Sequence, residues 1–337
     1  MKAIVQKAYG APGSVLELKE VETPIPGERE VLVRVHATSV HPDIWHVVTG
    51  QPYILRLTGS GLREPKQRIP GTDIAGVVEA LGKNVTRFKI GDEVFGETIK
   101  GMQWVNGGAF AEYAAVAEEG LAHKPAGVSF EQAASVPTSG IIVLLNLQNQ
   151  RKIRPGQSVL INGAGGGVGS IALQIAKAIG AKVTAVDSAR KMDLLLALGA
   201  DHVIDYTRED FTSLGVKYDL IFDVASNLVF ADCKKVLTPE GIYIMIGHDH
   251  FGTAVGRVFG SIPRMLKLML MSLSEKALRG ATFNQPDKQE SLAYLKGLLE
   301  AGKLKPVIDR VFPLAEAAQA LAYLESGQAC GRILVRP

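Results

Sequence analysis

Residues 161–170 read INGAGGGVGS, and the fold turns on whether these glycines form an ordinary turn or a cradle for a phosphate. The run follows QSVLING, whose apolar, β-branched residues predict a buried strand. It opens a segment in which Val168, Ile171, Ala172, Ile175, Ala176 and Ile179 recur at helical spacing before Gly180. Strand, glycine-rich turn and helix in that order are the context in which such a loop holds a dinucleotide. Two registers fit, Gly163-x-Gly165 and Ala164-x-Gly166-x-x-Gly169. The second is preferred, because its last glycine lies inside the helix, where a missing side chain lets helix and sheet approach. Ala164, Gly165, Gly166, Gly167, Val168 and Gly169 then form the cradle, with the helix N-terminus supplying N–H donors and positive dipole.

A glycine pattern alone is weak, and the segments around it decide. Downstream, AKVTAV, HVID, YDLIFDV, GIYIMIG and LRGATFN read as strands. They alternate with helices in ARKMDLLLAL, closed by Gly199, in NLVFADCKKVL and in a Met-rich stretch around 262–273. With the strand before the cradle this makes six, an α/β pattern that predicts a doubly wound parallel sheet over residues 125–285. Residues 1–124 read differently: short runs such as EVLVRVHATSV and IAGVVEAL, punctuated by glycine and proline, predict a compact barrel-like β lobe. After 286 come two helices and two strands, and the closing strand GRILVR needs a partner outside that segment. It is expected to return to the first lobe, joining 286–337 to 1–124. Two lobes also suit 337 residues, since one hydrophobic core stops growing near ~250–300.

Composition narrows the function. The net charge is +3, with no basic block interleaved with aromatics, so nucleic acid is a poor partner. Cys233 and Cys330 are the two cysteines, too few and too far apart for a disulfide framework, and they suit a reducing cytoplasm. MKAIVQKAYG predicts no secretory leader. The apolar run MLKLMLMSL is broken by Lys267 and falls short of the ~18–20 residues a bilayer needs. It predicts a core or interface helix without membrane insertion, surface attachment being the alternative.

Two further stretches bear on chemistry. In VTAVDSARK, Asp187 stands near the ~20-residue offset at which an acid receives a ribose 2′-hydroxyl. Ser188, Arg190 and Lys191 follow at once, and a hydroxyl with two cations suits a 2′-phosphate instead; a solvated helix start is the bland alternative. SVHPDIWHVV, 39–48, sets His41, Asp43 and His46 within six residues. That is a ligand set zinc accepts, an acid–base relay, or a turn in which Asp43 caps a helix and His46 lies in its solvated first turn.

The stretches PGTDIAGVVEALGKNVTRFKIGDEVFG, GGAFAEYAAV, AGVSFEQAASVPTSG, INGAGGGVGSIALQIAKAIGAKVTAV and LGADHVIDY together resemble the medium-chain dehydrogenase/reductase superfamily over nearly the whole chain, within its zinc-independent quinone-oxidoreductase branch. The resemblance implies a discontinuous GroES-like catalytic domain and a Rossmann cofactor domain. It implies NADPH, with Ser188, Arg190, Lys191 and Tyr206 at the 2′-phosphate and Asp187 leaving NADH open, and contacts from Thr138, Ala225, Ile246 and Gly247. It also implies a homodimer paired through GATFN. Aligned with zinc-using relatives, the three ligand positions hold His41, Thr72 and Ser135, of which only His41 ligates strongly, and the structural-zinc cysteines are missing from ETIKGMQWVNGGAF. Neither metal is expected. Without a Lewis acid, simple alcohols become poor substrates, and hydride transfer to a quinone or an α,β-unsaturated carbonyl, aided by hydrogen-bond donors, is favoured. His41 is the expected donor facing the nicotinamide, a proton relay with Asp43 being the alternative to Asp43 as a helix cap, and Tyr53 and Trp104 are expected as pocket walls. The alternatives are an alcohol or aldehyde dehydrogenase of the same superfamily, and an NADPH-binding regulatory protein without catalysis.

Overall fold

The computed structural model describes residues 1–101, 107–149, 152–247, 256–278 and 287–337. In chain order the strands are β1 (Lys2–Gln6), β2 (Leu16–Glu20), β3 (Glu30–Val40), β4 (Asp73–Leu81), β5 (Glu93–Glu97), β6 (Tyr113–Ala117) and β7 (Leu121–His123). There follow β8 (Ser158–Asn162), β9 (Lys182–Asp187), β10 (His202–Asp205), β11 (Tyr218–Asp223), β12 (Leu237–Met245), β13 (Ile308–Pro313) and β14 (Arg332–Arg336). Unit 1 comprises Met1–Ile141, Asp287–Gly302 and Pro306–Pro337; unit 2 comprises Ile142–Pro286 with Lys303–Lys305. Residues 125–141 group with unit 1 because Ser135, Thr138 and Ser139 bond to Asp73 and Arg332 of the β lobe.

Unit 2 is built on a parallel sheet ordered β10-β9-β8-β11-β12. Its strands are buried as continuous apolar runs, Val159, Leu160 and Ile161 in β8 and Leu220, Ile221 and Phe222 in β11, as a sheet covered on both faces requires. The chain leaves β8 in one direction to β9 and β10, then returns to build β11 and β12 on the other side. The carboxyl ends of β8 and β11 are therefore the switch point where such sheets bind ligands. Helix Gly167–Ile179 buries Ile171, Ala172, Ile175 and Ala176 and ends at Gly180, as its sequence predicts, with a φ of 95° that makes a left-handed cap. The strand expected at GATFN, 280–284, lies outside the described residues.

Unit 1 turns on β3. Its first half pairs with β6 and β4, and Thr38, Ser39 and Val40 pair with Val335, Leu334 and Ile333 of β14. The last strand thus returns to the first lobe, antiparallel to β3 and parallel to β13. Register shifts along β3 and β4 bend the strand so that it serves both sets of neighbours, around a core of Val31, Val33, Val35, Ile74, Val78 and Leu121.

Where β4 crosses β3, a Cβ on Gly76 would lie 2.0 Å from the Arg34 carbonyl oxygen. Gly76→Ala is expected to cost about 1–3 kcal/mol of stability through overpacking against backbone. Gly297→Ala, in helix Lys288–Glu300 with nothing within 4 Å of its added carbon, is expected to gain about 0.5–1 kcal/mol. Denaturant unfolding of the two variants measures both.

Candidate functional site

The cradle occupies the switch point of unit 2. Gly163 has φ 82°, and its N–H and that of Ala164 donate to the Val186 carbonyl, so the sharp turn falls one residue before the predicted register. Gly166 is the N-cap of helix Gly167–Ile179. A Cβ there would meet nothing closer than 3.6 Å, whereas one on Gly169 would lie 2.1 Å from the Gly163 carbonyl oxygen. Gly163 thus makes the turn, Gly166 keeps the backbone approachable and Gly169 seats the helix on the strand. The first-turn N–H groups carry no intrahelical partner and the first turn has no acidic residue. This geometry fits a pyrophosphate.

At the end of β9, Asp187 accepts N–H bonds from Gly165 at 2.8 Å and Ser188 at 2.8 Å, and Lys191 Nζ lies 3.2 Å from its Oδ1. Both side chains are buried, so the carboxylate is neutralised internally. Ser188 is half-buried, and Arg190 and Tyr206 are exposed beside the pair. Lys191, expected at a 2′-phosphate, is instead committed to Asp187. Across the switch point Val224 and Ala225 donate to the Asn162 carbonyl, Ile246 donates to the Asp223 carbonyl, and a Cβ on Gly247 would lie 1.9 Å from the Val224 carbonyl oxygen. Ala225, Ile246 and Gly247 therefore form one backbone edge next to Gly163. Cys233 is buried in the unit 2 core, and burial, with Asp223 adding to it, pushes its thiol up to about 12.

Unit 1 contains a buried polar cluster. His41 is 2% exposed, with Nε2 2.8 Å from the Thr72 hydroxyl and Nδ1 3.3 Å from Asp43 Oδ2. Asp73 and Glu97 stand opposite each other on β4 and β5, two carboxylates side by side in the interior. Asp73 accepts from the Ser39 hydroxyl and from the N–H and hydroxyl of Thr138, the hydroxyl at 2.6 Å. Glu97 pairs with Lys288 at 2.7 Å, and burial, with Asp73 adding to it, raises its carboxyl above the ordinary value. Arg332 donates to the Ser135 carbonyl and the Ser139 hydroxyl and lies 3.9 Å from Asp73. Burial lowers its guanidinium's affinity for its proton, with Asp73 opposing.

Several expectations change here. Asp43 is not the N-cap of helix Pro42–Thr49: proline occupies N1, so His41 takes that place and Asp43 falls in the first turn. His46 is not solvated; it is buried near the helix end, with Nδ1 2.6 Å from the Gln51 carbonyl, to which it donates. Tyr53 lies in a 3-10 turn, 39% exposed beneath the Arg56 guanidinium. Trp104 lies outside the described residues. Thr138, expected at the cofactor, spends its hydroxyl on Asp73 and Glu97 in unit 1. The sequence reading missed Asp73, Glu97, Lys288 and Arg332. The signals were slight: Arg332 is in phase with buried Leu334 on β14, and Lys288 is a cation in a helix first turn, where the dipole opposes it.

The donor set does not fit zinc. Of the three aligned positions, His41 is engaged by the Thr72 hydroxyl and the Ser135 carbonyl faces a guanidinium, a cation where a second cation would have to sit. Among the described residues no group of three or more His, Cys, Asp or Glu side chains could hold a metal ion.

Comparison with known proteins places these features. Residues 27–126 match the alcohol dehydrogenase GroES-like domain and residues 198–335 match a family described as zinc-binding dehydrogenase. The chain is 34% identical to the chloroplastic quinone-oxidoreductase QR1 of Triphysaria versicolor over 100% of this chain and 98% of that protein. It is 32% identical to the chloroplastic NADPH-dependent alkenal/one oxidoreductase of Arabidopsis thaliana, over 100% of this chain and 80% of that protein. Among solved structures, the Escherichia coli quinone oxidoreductase complexed with NADPH superposes with a TM-score of 0.79 at 26% identity, all of both chains being covered.

Burial lowers the His46 imidazole's affinity for a proton, the Gln51 carbonyl and Asp43 opposing. Its folded-state value is below the unfolded one, so the unfolded state binds more protons. The stability it contributes is present above about pH 6.5 and is lost as pH falls below that. Glu97 and Asp223, with raised values, act in the opposite sense, so the difference between variants isolates His46. Thermal unfolding across this range should show a shallower acid-side loss for His46→Asn than for the parent.

Proposed function

The chain belongs to the medium-chain dehydrogenase/reductase superfamily, in its quinone-oxidoreductase-like branch, and from that we infer a nicotinamide-dependent oxidoreductase that reduces a quinone or an α,β-unsaturated carbonyl. The similarity to a quinone oxidoreductase and to an alkenal/one oxidoreductase over the whole chain supports this substrate class. The observation that carries the chemistry is the hydrogen bond between the His41 ring and the Thr72 hydroxyl, with Arg332 at Ser135. Hydroxyl and imidazole groups stand where zinc-using relatives hold a Lewis acid. A zinc-using alcohol dehydrogenase relies on that acid for the alkoxide; a conjugated carbonyl spreads its charge onto an oxygen that hydrogen-bond donors can stabilise. The enzyme is accordingly assigned as zinc-independent.

When bound, the dinucleotide supplies the hydride. The rest falls to the chain's own side chains. Asp43, on the Nδ1 side of His41, favours a proton at that nitrogen, which leaves Nε2 to accept from the Thr72 hydroxyl or, in the imidazolium, to donate to it. Asp43 is the most exposed of the three and Thr72 is buried. The row Asp43–His41–Thr72 thus runs from solvent inward; its outer link is an ion-pair approach of 3.3 Å in which Nδ1 makes no hydrogen bond, and once that link closes the row can deliver a proton to a substrate oxygen after hydride has been accepted. Tyr53 offers an aromatic face to a planar substrate.

The cofactor is assigned as NADPH. With Lys191 cancelling Asp187, the surface left to the ribose is the Ser188 hydroxyl, Arg190 and Tyr206, which suits a 2′-phosphate. Residence in the cytoplasm, where NADPH is the reductant, and assembly as a homodimer complete the proposal; no helix among the described residues is long and apolar enough to cross a membrane.

Three measurements test this. NADPH should be consumed with both a small quinone and a small enone; tight NADPH binding with no turnover on either would point to a non-catalytic regulatory protein. His41→Asn keeps a hydrogen-bond donor but cannot relay a proton, so kcat should fall about 100-fold, in the range of general acid catalysis, and near-parental turnover would reduce His41 to a donor. Lys191→Met leaves Asp187 uncompensated, and the ratio of kcat/KM for NADPH over NADH should fall by about tenfold or more, the scale of one charge contact; an unchanged ratio would remove the pair from cofactor choice.

A further inference from the structure

The Met-rich helix Ile262–Met271 has no fully buried residue, and Leu268 and Met271 pack only partly on the unit 2 core. One polar side chain ties it down. Arg264, in its first turn, donates through Nη1 to the Ser226 carbonyl and through Nη2 to the Leu228 carbonyl, and Nη2 lies 3.4 Å from Tyr243 Oη. A cation in a first turn opposes the helix dipole, so its place is explained by what it reaches.

What it reaches is a strained turn. Ser226 is fully buried at φ 52°, a left-handed conformation that costs a non-glycine residue about 1 kcal/mol or more and persists only where its surroundings over-determine it. Three bonds do so here. Its N–H donates to Asp223 Oδ1 at 2.7 Å, its hydroxyl donates to the Asp223 carbonyl at 3.0 Å, and its own carbonyl accepts from Arg264. Asp223 is the junction. Its carboxylate also accepts from Asn162 at 2.8 Å and from the Tyr243 hydroxyl at 2.6 Å, and its carbonyl accepts from Ile246. Asn162 immediately precedes Gly163, and its carbonyl holds Val224 and Ala225. Arg264 therefore lies at one end of a continuous set of bonds whose other end is the cradle and the Ala225–Ile246–Gly247 edge.

We propose that Arg264 is a positioning residue for the nicotinamide end of the dinucleotide, holding the Ser226–Leu228 turn so that this edge keeps its place beside the cradle. It rests on the cofactor assignment above. The adenosine end, at Ser188, Arg190 and Tyr206, shares no bond with Arg264, so the two ends of the ligand separate the effects.

Binding by calorimetry provides the test, with NADPH and with 2′,5′-ADP, which carries the adenosine end alone. In Arg264→Ala the NADPH dissociation constant should rise by about tenfold, as for loss of one well-placed contact, while that of 2′,5′-ADP stays within about twofold. Added guanidinium should restore NADPH affinity. Arg264→Lys, whose single ammonium cannot span both carbonyls, should fall between the two and serves if the alanine variant does not fold. Equal weakening of both ligands with a lowered unfolding temperature and no response to guanidinium would make Arg264 merely structural and overturn the proposal, as would unchanged NADPH binding. Failure of the parent protein to bind either nucleotide would instead overturn the cofactor assignment, and the proposal with it.

Discussion

The Gly163 carbonyl oxygen lies 2.1 Å from where a side chain on Gly169 would begin, and this approach of helix to strand governs unit 2. It brings the N-terminus of helix Gly167–Ile179 onto the end of β8, at the point where the strand order reverses. Every neighbour is set by the same closeness. Gly165 donates to Asp187 only because the turn is this tight, and Ala225 packs on Gly163 because nothing larger than hydrogen stands there. A methyl group at position 169 would push the helix away and take with it the dipole and the N–H donors.

Unit 1 solves a different problem, that of placing charge in an interior. Asp73 and Glu97 face each other across a ladder, an arrangement that is unfavourable by itself. Arg332 and Lys288 come from parts of the chain far from both and offset them, and hydroxyl groups of Ser39 and Thr138 take up remaining lone pairs. Breaking one partner leaves the others as uncompensated buried charges, so the set stands or falls together. The interior around Asp73 and Glu97 thus holds its positive charge in covalent form.

How much of this could be read from the order of residues depended on range. The seat at Gly169 and the helix end at Gly180 are legible because each is decided within a few residues of backbone geometry, whereas the turn falls on Gly163, one residue before the preferred register. The return of the last strand was legible too, from its lack of a local partner. The pairing of Lys191 with Asp187 depends on a rotamer that no spacing encodes. His46 was misjudged because solvation of a short helix depends on what covers it, and Asp43 because Pro42 at N1 moves the N-cap back to His41. Thr138 with Asp73 and Arg332 with Ser135 join residues 65 and 197 positions apart, and pairings of that reach exist only once the fold does.

That last strand has a consequence for how the protein is made. Thr38, Ser39 and Val40 leave the ribosome before any of unit 2, yet the backbone groups of Val335, Leu334 and Ile333 that pair with them emerge only after all of it. Unit 2 is nearly contiguous and can close while synthesis continues, whereas the β lobe must wait with one edge of its longest strand open. During that interval the nascent chain carries a folded parallel sheet flanked by an incomplete barrel, and exposed strand edges of this kind invite pairing with other chains. Expression at slowed elongation or without chaperones would therefore expose the N-terminal lobe, not the nucleotide-binding sheet, as the first casualty.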